Sequence, residues 1–293
     1  MDMFIQLVVS GLVIGGVYAL IALGFSIIFA STQVINFAQG ELAMLGALFG
    51  VTFFMNFGLP YPFAFLLTVI CVAIAGMLFS RLAIEPLVRR KAHLHSLVIA
   101  TLAAAFLIQS SSELIWGKDD LYAKSPLGNE TINILHANFV PQSFIVFVVV
   151  IAALALSWYF FGHTLMGKSF KAVALNRDAA RLMGIDVERT VLLSFGMAAA
   201  LGAAAGLAFS PIVSANAYMG MPLSIKGFAA MLIGGVGSFP GAILGGMILG
   251  FLESFGAGYI SAGYRDAISF LVMLLVLCVC PTGLIRLTLK RSR

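Results

Sequence analysis

Apolar residues fill this chain in long runs that short polar segments separate. No charged residue occurs between Asp2 and Glu41. A membrane-spanning helix needs roughly 20 apolar residues, so this stretch predicts one crossing and the start of another. A polar interruption, Ser31 to Glu41, lies between the two. Lipid offers no hydrogen bonds, so protein or a water-lined cavity must satisfy its polar groups, and we expect part of a transport route here.

Further apolar runs predict further crossings. The segments cover residues 5–30, 41–57, 63–84, 94–116, 141–161, 190–210, 223–234, 242–256 and 264–286. Those between residues 211 and 258 are short or broken by glycine. The pattern predicts an all-α polytopic transmembrane helical bundle of about eight or nine membrane segments. No linker divides the 293 residues, which indicates a single transmembrane domain over 1–293.

Composition agrees with this class of protein. The chain is 61% hydrophobic and 10% charged, whereas soluble domains carry about 25% charged residues. Cys71, Cys278 and Cys280 all lie in apolar runs, so we expect buried thiols and no disulfide framework. The N-terminus lacks a preceding cation and a cleavage site, which argues against a cleaved signal peptide.

The net charge of +5 reflects three basic clusters that alternate along the chain. They are Arg81, Arg89, Arg90 and Lys91; Lys168, Lys171, Arg177, Arg181 and Arg189; and Arg286, Lys290, Arg291 and Arg293. By the positive-inside rule these regions face the cytoplasm, which disfavours nucleic-acid binding as the cause of the charge. The N-terminus is then outside, the C-terminus is cytoplasmic, and the loop over 117–140 is extracytoplasmic.

The sequence motifs that could indicate catalysis or nucleotide binding lie in unsuitable structural contexts. Residues Gly162 to Ser169 match the P-loop pattern, but they follow a membrane helix and no strand. The glycines in the segment from Gly234 to Gly241 do not have the spacing of a dinucleotide-binding loop, and the segment predicts a tight turn. The glycines that follow it favour close helix packing. His93 and His95 have no third ligand nearby. We therefore expect no catalytic residue, no metal and no cofactor in this chain.

Three acidic residues lie in or at the edge of apolar runs: Glu41, Glu113 and Glu253. An ionisable residue inside a membrane is costly to bury and is a functional hypothesis by default. The alternative is an interfacial position with ordinary hydration. We expect Glu253 to line a cavity or a subunit interface. Glu41 follows Gly40 at a predicted helix start, where it also favours the helix dipole.

Six short motifs carry a family resemblance across nearly the whole chain. They are Gly16 to Gly24, Ile35 to Glu41, Gly46-Ala47, Glu85-Pro86-Leu87, Gly234 to Ser238 with Gly241-Ala242, and Pro281 to Leu284. In this order and spacing the sequence resembles the LivH-like permeases of bacterial branched-chain amino-acid ABC importers. One departure is Gln39, where the family commonly has His. That substitution puts a proton role at this position in doubt.

The resemblance implies a function without an enzyme activity. The chain would be an inner-membrane permease subunit that translocates branched-chain or related amino acids. Its implied partners are a homologous second permease, two cytoplasmic ATPase subunits that bind ATP and magnesium, and an extracytoplasmic substrate-binding protein. A permease for urea, amides or other small solutes is an alternative within the family. A stand-alone secondary transporter, motivated by the membrane acids, is an alternative outside it.

The resemblance also implies two sets of site residues. The substrate pathway would include Tyr18, Asn36, Gln39, Glu41 and Glu253, although the Asn36 break could instead lock two helices together. The polar region over 167–189 would contain the ATPase-coupling helix, with Arg177, Asp178, Ala179, Ala180, Arg181, Leu182, Met183 and Gly184. Ala172, Leu175, Ala179 and Leu182 recur at helical spacing and predict one helix, which Gly184 would end at its C′ position. A plain membrane-surface amphipathic helix is the alternative.

Overall fold

A computed structural model describes residues 2–90, 93–128, 132–134, 137–279 and 283. The C-terminal basic cluster and Lys91 lie outside these residues. In chain order the helices are α1 (Asp2–Thr32), α2 (Gln39–Val51), α3 (Tyr61–Phe79), α4 (Glu85–Arg89), α5 (Leu94–Trp116), α6 (Gln142–His163), α7 (Leu165–Leu175), α8 (Arg177–Leu182), α9 (Val187–Val213), α10 (Gly220–Gly234), α11 (Phe239–Tyr259) and α12 (Arg265–Val279).

Short irregular elements extend or connect these helices. One π-helical turn, Thr52–Asn56, continues α2, and another, Ser80–Ile84, joins α3 to α4. A 3₁₀ turn, Ala262–Tyr264, precedes α12. In the predicted 117–140 loop, β1 (Ile132–Ile134) pairs antiparallel with β2 (Ala137–Phe139).

The predicted all-α polytopic bundle is confirmed. Six helical stretches in the described part of the chain are long and apolar enough to cross a membrane: Met3–Thr32, Tyr61–Val88, His95–Trp116, Gln142–His163, Val187–Val213 and Phe239–Tyr259. Helices α2 and α10 are shorter, and the described part of α12 covers 15 residues. The number of crossings, eight or nine, therefore stays a prediction.

The first helix forms the centre of the bundle. Of the apolar window in α1, 89% is buried, against 72% in α9 and 17% in α5. Close packing of α1 on α11 requires glycine, because an added Cβ on Gly250 would lie 2.2 Å from the Gly15 Cα and one on Gly246 would lie 2.4 Å from the Ala19 nitrogen. The predicted packing role of the α11 glycines is thus confirmed, and α5 is left at the surface of the chain.

The predicted single helix in the 167–189 region is wrong. Asn176 has an extended backbone and ends α7, and its side-chain oxygen accepts hydrogen bonds of 3.0 Å from the Asp178 and Ala179 nitrogens, which begins α8. An Asn side chain that caps a helix start in this way competes with helix continuation. The spacing of Leu175 and Leu182 therefore reflects two helices, and both side chains are largely exposed.

Two further sequence expectations are resolved by the fold. The P-loop match spans the end of α6 and the start of α7, where the Thr164 hydroxyl accepts a hydrogen bond from the Gly167 nitrogen, and no strand precedes it. The prediction of buried thiols is wrong for Cys278, which is exposed on α12, and Cys71 is partly exposed. Cys280 lies outside the described residues.

Candidate functional site

The polar break between α1 and α2 is a buried junction. Gln33 adopts a left-handed backbone (φ +58°) directly after α1. The fully buried Asn36 folds back on its own segment, since its side-chain oxygen accepts a 3.1 Å hydrogen bond from the Ala38 nitrogen. The Ser224 hydroxyl on α10 donates to the Phe37 carbonyl at 2.7 Å and accepts from the Gly40 nitrogen at 2.7 Å. The break is therefore held by α10 as well as by its own residues.

Gln39 joins three helices at the start of α2. Its amide nitrogen donates a 2.8 Å hydrogen bond to the Ala198 carbonyl on α9. The same nitrogen would lie 2.2 Å from a Cβ added to Gly24 on α1. An amide makes this contact without a titratable group, so a hydrogen-bond donor is sufficient for the geometry here.

Glu41 is buried in the first turn of α2 and faces the start of α10. Its Oε2 has no hydrogen-bond partner among the described residues. An added Cβ on Gly220, the first residue of α10, would lie 2.2 Å from that oxygen. Two helix N-termini, whose partial charge is positive, thus lie close to this carboxyl group.

Tyr18 and Glu253 belong to a second buried group. The Tyr18 hydroxyl donates a 2.9 Å hydrogen bond to Glu253 Oε2, and the Ser269 hydroxyl donates to the same oxygen at 3.2 Å. Lys226 Nζ lies 2.9 Å from Glu253 Oε1. The Glu253 side chain is only 1% exposed, so ordinary interfacial hydration does not describe it.

Two further charges complete this ionic cluster, which we define as Lys226, Glu253, Arg265 and Asp266. Lys226 Nζ lies 2.8 Å from Asp266 Oδ1, and Arg265 Nε lies 3.4 Å from Glu253 Oε1. The cluster contains two cations and two anions and joins α10, α11 and α12. Such pairing offsets part of the cost of burying the charges of Lys226 and Glu253.

The five predicted pathway residues therefore separate into two groups on either side of α10. Asn36, Gln39 and Glu41 lie at the polar break, and Tyr18 and Glu253 lie at the ionic cluster. Their role in the pathway stays a prediction.

Sequence reasoning missed Ser224, Lys226, Arg265 and Asp266 as members of these groups. A signal for Lys226 was present, because it is a lone cation inside the apolar run over 223–234.

Glu113 differs from the other membrane acids. It lies near the end of α5 and pairs with Lys118, 2.9 Å away, whose side chain is 74% exposed. The interfacial interpretation fits Glu113. Among the described residues no group of three or more His, Cys, Asp or Glu side chains is placed to hold a metal ion.

The short helix α8 contacts the end of α1. The Arg177 guanidinium donates a hydrogen bond to the Ser31 carbonyl, one of the last carbonyls of α1. Helix C-termini carry unpaired carbonyls and a partial negative charge, which a cation stabilises. Burial, and next the charge of Arg181, lowers the pKa of Arg177 from its ordinary value, while Asp178 opposes the shift.

Gly184 ends α8 in a Schellman motif. The Ile185 nitrogen donates to the Ala180 carbonyl and the Gly184 nitrogen donates to the Arg181 carbonyl, both at 3.0 Å. Gly184 has φ +82°, a backbone conformation that favours glycine. The predicted C′ position is confirmed.

Beside this turn, α8 presents apolar side chains to the outside of the chain. Leu182 is 88% exposed and Met183 is 83% exposed.

The sequence matches a family of known transporters over most of its length. A family model described as "Branched-chain amino acid transport system / permease component" matches residues 7–277. The chain is 33% identical to the high-affinity branched-chain amino acid transport system permease protein LivH of Salmonella typhimurium, and 32% identical to that of Escherichia coli. It is 31% identical to the permease protein BraD of Pseudomonas aeruginosa.

These similarities extend over almost the full length of both partners. Each of the three covers 96% of this chain and 95% of the relative. No solved structure matches the chain. The chain belongs to the family of permease components of branched-chain amino acid transport systems, the membrane subunits of ABC importers.

Proposed function

We propose that this permease carries branched-chain or related amino acids that an extracytoplasmic binding protein delivers. The support is the near full-length similarity to relatives that are named for branched-chain amino acid transport. The apolar helices and the bacterial permease relatives support a location in the bacterial inner membrane. In the proposed orientation the N-terminus is outside, and α7 and α8 are cytoplasmic.

The partners would be a homologous second permease, two cytoplasmic ATPase subunits and the binding protein. Leu175, Leu182 and Met183 are large apolar side chains that the coupling region leaves exposed. Contiguous exposed apolar patches rimmed by polar residues mark protein or membrane contacts. They fit the ATPase cleft, where ATP and magnesium would be bound and hydrolysed.

The contact from Arg177 to the Ser31 carbonyl carries the coupling proposal. It joins α8 to the last turn of α1, directly before the polar break. A shift of α8 imposed by an ATPase subunit would act on the end of α1 through this bond. A hydrogen bond to a charged group contributes about 1.5–3 kcal/mol, enough to transmit a local displacement.

Reconstitution of the importer with Arg177→Gln tests this coupling. We expect ATP hydrolysis to continue and amino-acid uptake to fall at least tenfold, since the bond to α1 loses its charge. Lys171→Gln on the exposed side of α7 is the matched control and should retain uptake. Normal uptake with Arg177→Gln would contradict the coupling role. Uptake by the permease alone, driven by an ion gradient, would contradict the ATP-driven function itself.

A further inference from the structure

A cavity of about 350 Å³ opens beside the first half of α1. Helices α1, α6 and α9 form its walls, and Arg265 at the start of α12 completes them. Its volume is at the lower end of small-molecule sites, which range over roughly 300–1,000 Å³. None of the five predicted pathway residues is among those that line it.

The lining combines an apolar wall with a few polar groups. Val13, Phe209 and Val213 are apolar, whereas Ser10, Ser143 and Arg265 are polar. Val13 and Phe209 are 4% and 6% exposed, so their positions are fixed by packing. A pocket of this kind suits a small ligand with one aliphatic part and one charged part.

Arg265 is the lining residue with a charge, and its guanidinium is incompletely used. The side chain is 43% exposed, and its Nε lies 3.4 Å from Glu253 Oε1, beyond normal hydrogen-bond length. The Arg265 Nε has no hydrogen-bond partner among the described residues. Glu253 already accepts from Tyr18, Lys226 and Ser269. The guanidinium of Arg265 therefore retains N–H donors that can pair with a further anion.

We propose that this cavity binds the substrate as an aliphatic α-amino acid, with the carboxylate on Arg265 and the side chain on the apolar wall. The inference rests on the proposed transport function and specifies its substrate class. A planar guanidinium pairs with a carboxylate through two parallel hydrogen bonds. The Ser10 hydroxyl supplies an acceptor for the ammonium group. Urea and amides lack the carboxylate and gain nothing from Arg265.

Substrate protection of an introduced thiol tests the site without ATPase partners. The full chain, with its three cysteines replaced by alanine and with Ser143→Cys, is placed in nanodiscs of neutral lipid and labelled with a maleimide. L-leucine should slow labelling in a saturable way, and L-leucinamide and urea should not. A thiol from Ser110→Cys, on the exposed face of α5, is the control and should label at the same rate with and without leucine.

Three variants separate the charge from the shape of the cavity. Arg265→Gln should raise the leucine concentration for half protection roughly tenfold or more, the loss of one charged hydrogen bond, and Arg265→Lys should restore part of it. Val213→Trp should abolish protection by filling the cavity without removing a charge. Equal protection in all three variants would overturn the proposal. So would slower labelling caused by phosphatidylglycerol alone, which would make an anionic lipid the occupant.

ATP-dependent leucine uptake by the complete importer is measured in parallel. Uptake without any leucine protection of the Ser143→Cys thiol would refute this site and leave the transport function standing. Protection without uptake would refute the proposed transport function and leave the binding site standing.

Discussion

Removal of Lys226 tests how strongly the ionic cluster stabilises the bundle. Its Nζ lies 2.9 Å from Glu253 Oε1, and the two side chains are 13% and 1% exposed. Lys226→Met keeps the length of the side chain but leaves the Glu253 carboxylate without its nearest cation. Breaking one side of a buried pair costs about 3–5 kcal/mol. Because Arg265 lies only 3.4 Å from the same carboxylate, we expect the lower end of this range.

Substitution of the partner residue, Glu253→Gln, should lower the free energy of unfolding less than Lys226→Met does. Lys226 then retains Asp266 at 2.8 Å, and the Asp266 side chain is 72% exposed. Tyr18 and Lys226 then lose a charged hydrogen-bond acceptor, which should lower the free energy of unfolding by about 1.5–3 kcal/mol. In the double variant no uncompensated charge of the pair remains, so the two costs should not add. A coupling free energy of about 1–3 kcal/mol is expected for groups in direct contact.

The assay is reversible unfolding of the full chain in mixed micelles, with the wild type, both single variants and the double variant. Lys118 and Glu113 provide the matched control, because their charges are also 2.9 Å apart but Lys118 is 74% exposed. Exposed ion pairs contribute little, so Lys118→Met with Glu113→Gln should show no resolvable coupling. The cluster as described would be refuted if the losses of unfolding free energy for Lys226→Met and Glu253→Gln were additive. Equal coupling free energies for the Lys226–Glu253 pair and the Lys118–Glu113 pair would also refute it.

Three further tests, two of them with a control substitution, address the packing and the polar break. Gly46→Leu should prevent folding, because an added Cβ lies 2.3 Å from the α9 backbone, whereas Gly162→Ala meets no atom within 4 Å and should leave the thermal midpoint unchanged. Asn36→Leu should abolish both uptake and importer assembly, because the buried Asn36 side chain caps its own turn. Assembly is measured by co-purification of the subunits. Loss of uptake with normal assembly would instead indicate a gate residue. Ser224→Ala should lower stability by about 1–3 kcal/mol through two lost hydrogen bonds, and Ser210→Ala, which loses only a bond within its own helix, should cost less.

Long apolar runs made the spanning helices predictable. The predicted segments over 94–116 and 141–161 agree with α5 and α6 within about two residues, because hydropathy alone decides such spans. Apolar spacing could not show that Asn176 divides the region over 167–189 into separate helices. Side-chain hydrogen bonding decides whether Asn176 continues a helix or caps the next one. The 3.6-residue periodicity of apolar positions does not show such a bond.

The ionic cluster was less predictable, for a different reason. Tyr18 and Glu253 are 235 positions apart, and their hydrogen bond exists only because the glycines of α11 allow α1 to pack closely. A sequence shows that Glu253 must be compensated if it is buried, but it does not show by which residue. Burial also decides between Glu113 and Glu253, two acids in similar apolar contexts that the fold places in opposite environments.

Helix α10 connects the two groups of site residues. Ser224 holds the polar break through the Phe37 carbonyl and the Gly40 nitrogen, and Lys226, two positions later, holds Glu253. The break itself follows the α1 turn that Arg177 contacts from α8. A displacement that begins at α8 therefore meets rigid contacts at each step: the end of α1, the break, and α10. Because Arg265 and Lys226 both contact Glu253, movement of α10 would also shift the guanidinium that faces the cavity, and in the proposed site this would link substrate release to α8.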